Sequence, residues 1–380
     1  MPPEIVMRIL KLSIERKPLN NPEIRKALRA YSLLSKAIQP WAQRTLFGWL
    51  SLSEEHETIE MGDILDGCPD LANAVQMLEL GAECWERYRS GAGSMQDDVI
   101  KACSAYKKGE LTLKLTSLEL NFDSVHDYPL IKGLVLDRVE THLDSGDYLP
   151  EAEHPPLKDP FVNLTTLELI SFDDSYHQQP FQAHLFPALE TIVDRRRLEP
   201  LAIGGSYFGG YRSLHPQLTS LYVNHVDEYQ LPKLQQDYTN LLLLDLPLEP
   251  FAASLCRAVA HSPLAACVIS NSPHTILPPQ LRALRLHHVE ENPKYDFDPE
   301  EVEEGINDVV TVVIARLQER SGTSARSKLD VLVVPEDAGL GFTIKLAKEQ
   351  GVRVRLEPAE VNAEQDVELF RDLEWELSLA

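Results

Sequence analysis

Three small groups of residues in this sequence have types and spacings that could carry out chemistry. Residues 203–211 are rich in glycine, which lets a backbone wrap around a phosphate, but they lack the Lys-Ser/Thr of a phosphate-binding loop and the Gly-x-Gly-x-x-Gly spacing. His287 and His288 are adjacent, and adjacent strand residues point to opposite faces, so both are predicted to be surface residues and not a metal-binding pair. Asp173 and Asp174 have no acid–base partner that the sequence places beside them. The sequence therefore predicts a non-catalytic protein with no metal site and no cofactor, whose function is binding.

A recurring apolar triplet, Leu-x-x-Leu-x-Leu, predicts the elements that would carry a binding surface. Strand residues separated by one position face the same side, and one such strand cannot bury that side unless others stack beside it. The period is irregular, but several of the intervals between copies suit one strand plus one return segment. Copies occur at 75–80, 115–120, 131–136, 164–169, 218–223, 241–246, 264–269, 281–286 and 329–334, with a weaker one at 189–193 and a closing strand at 352–356. The chain is therefore predicted to be a row of strands laid side by side.

Composition limits the class of protein and its partners. The chain has 380 residues, 43% of them hydrophobic, which suits a repeat array that grows without enlarging its core. Its formal net charge of -23 argues against nucleic acid or an anionic membrane as a main partner. The five cysteines are scattered and form neither a disulfide framework nor a zinc site. With no signal segment or membrane-length apolar run, the protein is expected in the cytoplasm, the nucleus or both.

Apolar residues at helical spacing predict the helices. Three short helices are expected in the first fifty residues, before a strand at Leu50 and Leu52, and the polar segment 53–74 is expected to be a connector. Helices in the return segments between strands are predicted at 95–106, 251–259, 301–317 and 342–349. A helix in the acidic C-terminal cap is predicted from the spacing of Val367, Phe370, Leu373 and Leu377. The expected domains are 1–52, helical; 53–74, connector; 75–356, repeats; and 357–380, acidic cap.

The helical N-terminus also carries a series of short motifs. They are Met1-Pro2-Pro3-Glu4-Ile5, then Ser32-Leu33-Leu34-Ser35-Lys36, then a helix with Trp41 before Leu46-Phe47. In order and spacing this series resembles an F-box, with Met1 in place of the family's leading leucine and a longer loop between the first two helices. F-box domains bind the Skp adaptor subunit of cullin-RING ubiquitin ligases. The resemblance implies that the adaptor would contact Pro2, Pro3, Ile5, Ile9, Leu33, Leu34 and Trp41.

The triplets resemble irregular leucine-rich repeats, and their combination with an F-box resembles the fungal F-box/leucine-rich-repeat proteins. The fold implied is an α/β leucine-rich-repeat solenoid, a curved parallel sheet with convex helices, preceded by a small three-helix F-box-like unit. The function implied is that of a substrate-recognition subunit of an SCF-type ubiquitin ligase, with the Skp adaptor, through it cullin, and a target protein as partners. Two alternatives stay open: an interaction scaffold outside any ligase, and a repeat module whose N-terminal helices only cap the array.

In a leucine-rich repeat, the residue between the two strand leucines points to the open, concave face. Here these residues are Glu79, Glu119, Val135, Glu168, Tyr222, Asp245, Val268, Arg285 and Val333. The early positions are acidic, so this face is predicted to receive a basic segment of a target, with Tyr222 as an aromatic anchor. The target-binding residues predicted in this way are Glu79, Glu119, Glu168, Tyr222 and Arg285. The alternative is that a strongly acidic protein has carboxylates at all its exposed positions.

Overall fold

The chain folds into two compact units, Met1–Leu164 and Thr165–Ala380. Their structure, a computed structural model, describes residues 22–34, 36, 38–52, 55–81, 103, 111–116, 131–136, 161–170, 183, 186–195, 216–224, 226, 234–261, 273, 276–288, 299–318, 329–358, 361 and 363–379. Helices and parallel strands alternate through much of the described chain, so the predicted α/β class is confirmed. No helix in these ranges is long and apolar enough to cross a membrane.

In the described residues of the first unit, a small helical group precedes and accompanies four parallel strands. Its elements are α1 (Pro22–Leu34), α2 (Gln39–Phe47), β1 (Trp49–Leu52), α3 (Glu55–Gly67), α4 (Pro69–Ala74), β2 (Met77–Gly81), β3 (Leu111–Thr116) and β4 (Ile131–Leu136). Helices α1 and α2 share a core of Leu28, Ile38 and Ala42, against which Trp41 packs. A proline in the first turn of α2 suits the helix start, where the amide groups have no intrahelical partner. The strands pair in chain order, β1-β2-β3-β4.

The first unit differs from the sequence predictions at two places. The segment 53–74, expected to be a connector, contains the helices α3 and α4. The strand described here runs from Leu111 to Thr116, and the residues of the triplet 115–120 after Thr116 lie outside the described residues. Leu111, Leu113 and Leu115 already alternate upstream of the triplet, and this earlier stretch is the one that pairs with Met77–Gly81.

The described residues of the second unit form seven parallel strands, which also pair in chain order. Its elements are β5 (Thr166–Leu169), β6 (Thr191–Asp194), β7 (Ser220–Val223), α5 (Leu234–Asp237), β8 (Leu243–Pro247), α6 (Leu248–His261), β9 (Ala283–His287), α7 (Pro299–Gln318), β10 (Val331–Pro335), α8 (Gly341–Glu349), β11 (Arg353–Glu357) and α9 (Ala363–Ser378). The order is β5-β6-β7-β8-β9-β10-β11. A parallel pair needs a crossover connection, and α6, α7 and α8 lie in three such connections.

The seven strands separate two sides that are both buried. On one side, here called the helix side, aliphatic residues such as Leu244, Leu284 and Leu332 have no solvent exposure, and α6, α7 and α8 pack there. Helices α6 and α7 approach so closely that a Cβ atom on Gly305 would lie 2.0 Å from the carbonyl oxygen of Ala252. The other side, here called the α9 side, is covered by the last helix.

The predicted return helices at 251–259, 301–317 and 342–349 and the C-terminal helix are confirmed as α6, α7, α8 and α9. The first predicted helix, the helix at 95–106 except Cys103, and the strand at 264–269 lie outside the described residues. Strands β8 and β9 are hydrogen-bonded directly to each other, with Leu243 opposite Ala283 and Pro247 opposite His287.

Candidate functional site

The candidate site lies where α9 covers the second unit's sheet. Helix α9 presents Val367, Phe370 and Leu373 at helical spacing, and all three are buried. They form one apolar cluster with strand residues whose side chains point to the same side of β6, β7, β8, β9 and β10, namely Val193, Tyr222, Leu243, Ala283, Val331 and Val333. The apolar stripe that predicts α9 from sequence is therefore the surface by which α9 binds the sheet.

A buried arginine organises the polar part of this interface. Arg285, in the middle of β9, has no solvent exposure. Its Nη1 atom donates to Asp245 Oδ2 at 2.6 Å, and its Nη2 and Nε atoms donate to Glu357 Oε2 at 2.7 and 2.9 Å. It reaches α9 through Nη1, which donates to the backbone oxygen of Asp366 at 3.2 Å, and through Nη2, which donates to Asp366 Oδ1. Two sheet carboxylates and one helix carboxylate thus share one guanidinium group.

Two ring side chains complete the surroundings of Asp366. Tyr222 lies with its ring parallel to that of His287, with 5.0 Å between centroids, and meets the edge of Phe370. The Tyr222 hydroxyl donates to Asp366 Oδ2 at 2.6 Å. His287 Nδ1 lies 2.7 Å from Asp245 Oδ1, whereas its buried Nε2 lies 3.7 Å from Asp366 Oδ2 and has no hydrogen-bond partner among the described residues.

Further ion pairs and hydrogen bonds hold α9 at both margins of the seven strands. At the first margin, Arg371 donates to Glu168 Oε2 of β5 at 2.6 Å, and the Thr191 hydroxyl of β6 donates to Glu374. At the opposite margin, Arg355 of β11 pairs with Glu376. Helix α9 is therefore held by contacts that extend from β5 to β11.

The charges in this cluster shift one another's pKa values. Although burial alone would raise the pKa of Asp366, His287 and Arg285 lower it below its ordinary value. Burial works against the cationic forms of Arg285 and His287, but Asp245 and Asp366 raise the pKa of both. Burial, and then the Asp366 charge, raises the pKa of Tyr222 well above its ordinary value. The arrangement therefore favours a protonated phenol that donates and a charged carboxylate that accepts.

The arrangement is suited to holding a helix. Every donor of Arg285 that is described has an acceptor within the fold, and the side chains around Asp366 are buried. No group of three or more histidine, cysteine, aspartate or glutamate residues within the described ranges could hold a metal ion. The geometry can recognise a carboxylate and an apolar stripe on one helix.

Three predicted target-binding residues are not on an open face. Glu168, Tyr222 and Arg285 point to the predicted side of their strands, but α9 covers that side and leaves them 5%, 1% and 0% exposed. His287, predicted to be a surface residue, is buried for the same reason. His287 and His288 do point to opposite sides, because His288 contacts Glu249 and Asp337, away from the cluster.

The predicted acidic row in the first unit is interrupted by a lysine. Glu79 of β2 lies opposite Lys114 of β3, whose Nζ atom is 3.0 Å from Glu79 Oε1. The indole nitrogen of Trp49 donates to Glu79 Oε2 at 3.1 Å. Although burial alone would raise the pKa of Glu79, its contact with Lys114 lowers it below the ordinary value. Glu119 lies outside the described residues, and Lys114 takes the place in β3 that was predicted for it.

Of the predicted adaptor-binding residues, the structure describes two side chains. Leu33 is 88% exposed at the end of α1, and Trp41 packs against the core shared by α1 and α2. Pro2, Pro3, Ile5, Ile9 and the side chain of Leu34 lie outside the part of the chain that the structure describes.

Sequence reasoning did not identify Asp366, Glu357 or His287 as members of one cluster. Asp245 lies between two strand leucines, and this position predicts that its side chain points to the same side of the sheet as that of Arg285. Asp366 directly precedes Val367, the first residue of the predicted apolar stripe, but nothing local connects it with Arg285, 81 residues earlier. No protein-family model matches the sequence, and no curated protein matches it significantly.

Proposed function

We propose that this protein is a substrate-recognition subunit of a cullin-RING ubiquitin ligase. Its N-terminal helices would bind a Skp-type adaptor, and its strands, as a leucine-rich-repeat solenoid, would hold a target protein. Such a subunit needs no catalytic group of its own, because it raises the effective concentration of the target near an enzyme supplied by the rest of the complex.

The arrangement of strands and helices supports the repeat part of this proposal. In each unit the described strands are parallel and pair in chain order, as stacked repeats require. In the second unit, the leucines of the triplets face the helix side and are buried, as Leu244, Leu284 and Leu332 show. Return helices α6, α7 and α8 contact one another or the strands on that side.

The observation that carries the adaptor proposal is the exposure of Leu33. This leucine belongs to the F-box-like motif and is 88% exposed, although neighbouring apolar residues of α1 and α2 form a shared core. A helical group this small buries little surface of its own, so an exposed leucine beside its core suits a partner that completes it.

Capture of the adaptor tests the proposal. The full chain is co-expressed with a Skp adaptor, recovered by affinity capture and passed over a size-exclusion column. The wild-type chain is expected to give a stoichiometric complex, and Leu33→Asp is expected to lose it. The matched control is Ile64→Asp in α3, which puts the same charge on a different exposed apolar residue of this unit, 44% exposed, and should keep the complex. A wild-type chain that runs alone, folded and unbound, would overturn the proposal.

A second function, a repeat interaction module whose first helices serve only as a cap, is favoured by one contact. Arg25 of α1 donates from Nη1 to the backbone oxygen of Trp49 in β1 at 2.9 Å, which ties the helical group to the first strand. A cap must make such contacts, whereas an adaptor-binding unit needs them less. This alternative predicts no adaptor complex for any of the three chains above.

A further inference from the structure

We propose that the α9 side of β5–β11 is a helix-binding surface, which α9 occupies within the chain and which an acidic amphipathic helix of a partner protein occupies in its place. That the partner is a target for ubiquitination rests on the function proposed above. The helix-binding surface itself rests on the contacts of the second unit alone.

The pattern that this surface recognises can be read from α9. Its inward side places Asp366, Val367, Phe370 and Leu373 on the sheet, while its outward side leaves Trp375 65% exposed. The identity of residues on the outward side is therefore not constrained by contact with the sheet. A replacing helix needs one aspartate near its start, followed by apolar residues one, four and seven positions later.

The hydrogen bonds from the sheet to α9 specify acidic positions on the helix. Arg285, Tyr222 and Thr191 donate hydrogen bonds to α9, and the acceptors are Asp366 and Glu374. Arg355 adds a cation opposite Glu376. One pair has the opposite sense, Glu168 with Arg371, and it lies at the margin by β5. Carboxylates on the helix and donors on the sheet thus dominate the interface.

The site for the aspartate stays formed without α9. Arg285 keeps Asp245 and Glu357 as partners, and all three residues belong to strands β8, β9 and β11. Asp245 also keeps its contact with His287. An arginine held in place by two sheet carboxylates is preorganised, so an incoming helix does not have to order it.

Exposing the α9 side to water should cost less free energy than exposing the helix side. Removing α9 would expose Glu168, Asp245, Arg285 and His287, which water can solvate, together with an apolar patch around Tyr222. Removing the helices from the other side would expose an unbroken aliphatic layer. Exchange of the occupant is therefore feasible only on the α9 side.

Peptide exchange tests the inference on the full chain. The probe is a fluorescein-labelled peptide of residues 361–380, and binding is followed by fluorescence polarisation. The chain variant Asp366→Asn/Phe370→Ala weakens the internal helix and is expected to bind this peptide about tenfold or more tighter than the wild-type chain does. The peptide carrying the same two substitutions should not bind. The peptide with Trp375→Ala, altered on the outward side, should bind like the wild-type peptide.

A folded double variant that fails to bind the wild-type peptide would overturn the inference. So would equal binding of the wild-type and doubly substituted peptides. If the double variant does not fold, hydrogen exchange of the wild-type chain decides the matter. The amides of α9 are expected to exchange faster than those of β8 and β9, and equal protection would show that α9 opens only when the whole unit unfolds. Neither measurement contains the adaptor, so its failure leaves the ligase proposal untouched.

Discussion

The two sides of the seven-stranded sheet show two ways to bury a strand. Leu284 and Arg285 are neighbours on β9, and neither has any solvent exposure. Leu284 faces the helix side, where the stabilising contribution is the removal of aliphatic surface from water, which is non-directional. Arg285 faces α9, where burial requires three carboxylates in defined positions. Aliphatic burial on the helix side stabilises the fold without selecting particular partners. Burial of Arg285 on the α9 side selects a covering element that places a carboxylate opposite it.

The adjacent histidines repeat this comparison. His287 lies on the α9 side between Asp245 and Asp366 and depends on α9 for its burial. His288 lies away from α9, between Glu249 at the start of α6 and Asp337 after β10, with its Nε2 atom 2.8 Å from Asp337 Oδ1. A one-residue step along the chain thus moves the same side chain from the interface with α9 to contacts with α6 and the turn after β10.

The largest expected effect is on the helix side. Leu284→Ala removes a fully buried side chain and leaves a cavity, so it should lower the free energy of unfolding by about 2–5 kcal/mol. Urea unfolding followed by circular dichroism measures this loss, and hydrogen exchange should rise across β8, β9 and β10. The control is Leu356→Ala, which truncates a leucine that is 46% exposed. Equal losses in the two variants would contradict the view that the aliphatic layer fixes the fold.

The second effect is that of Arg285→Met. Removing one partner of a buried ion pair costs about 3–5 kcal/mol when the other partner stays buried. Release of α9 lets water reach Asp245 and Asp366, so the loss in free energy of unfolding should be smaller than that. Hydrogen exchange should rise first in α9 and leave α6 and α7 protected. If hydrogen exchange rose equally in α9, α6 and α7, α9 would not dissociate from the sheet more readily than the other helices.

A smaller effect should follow pH. Hydrogen bonding to Glu249, together with Asp337 and against the effect of burial, raises the pKa of His288 to about 9. The ordinary histidine pKa is about 6.5, so the stability that this contact contributes is fully present below pH about 6.5 and is lost as the pH rises through the folded-state value. The urea midpoint should therefore fall between pH 6 and pH 9.5.

His288→Gln should flatten that fall, because it removes the group whose pKa is raised. The pKa of His287 is also raised, so any slope that remains in His288→Gln carries the same sign. A profile that His288→Gln leaves identical to the wild type would contradict the assignment.

The smallest effect expected is that of Tyr222→Phe. It removes the hydroxyl that donates to Asp366 Oδ2, while Arg285 continues to hold the other oxygen. The loss should be about 1 kcal/mol and should appear in the protection of α9. Tyr238→Phe, at another buried tyrosine of the same unit, serves as a comparison, and its effect should not be concentrated in α9. Unchanged protection of α9 in Tyr222→Phe would show that this hydrogen bond adds nothing to the interface.

The periodicity of apolar residues was sufficient to locate helices and strands whose buried side follows from a local pattern. The triplets located most of the described strands, and the spacing of Val367, Phe370 and Leu373 located α9, because both patterns repeat within a few residues. The pattern was insufficient at β3, where Leu111, Leu113 and Leu115 continue the alternation upstream of the predicted strand. It also missed α3, since a polar segment with few apolar residues resembles a connector.

What the sequence by itself determined is which side of each strand a residue occupies. Glu168, Tyr222 and Arg285 all point to the side that the triplets predict, because strand geometry alternates with a period of two. What only the tertiary structure decided is that this side is covered. Tyr222 meets Asp366 across 144 residues of chain, and Glu168 meets Arg371 across 203. No local pattern encodes which of several apolar stripes a sheet will bind, because that choice depends on the summed contacts of the folded chain.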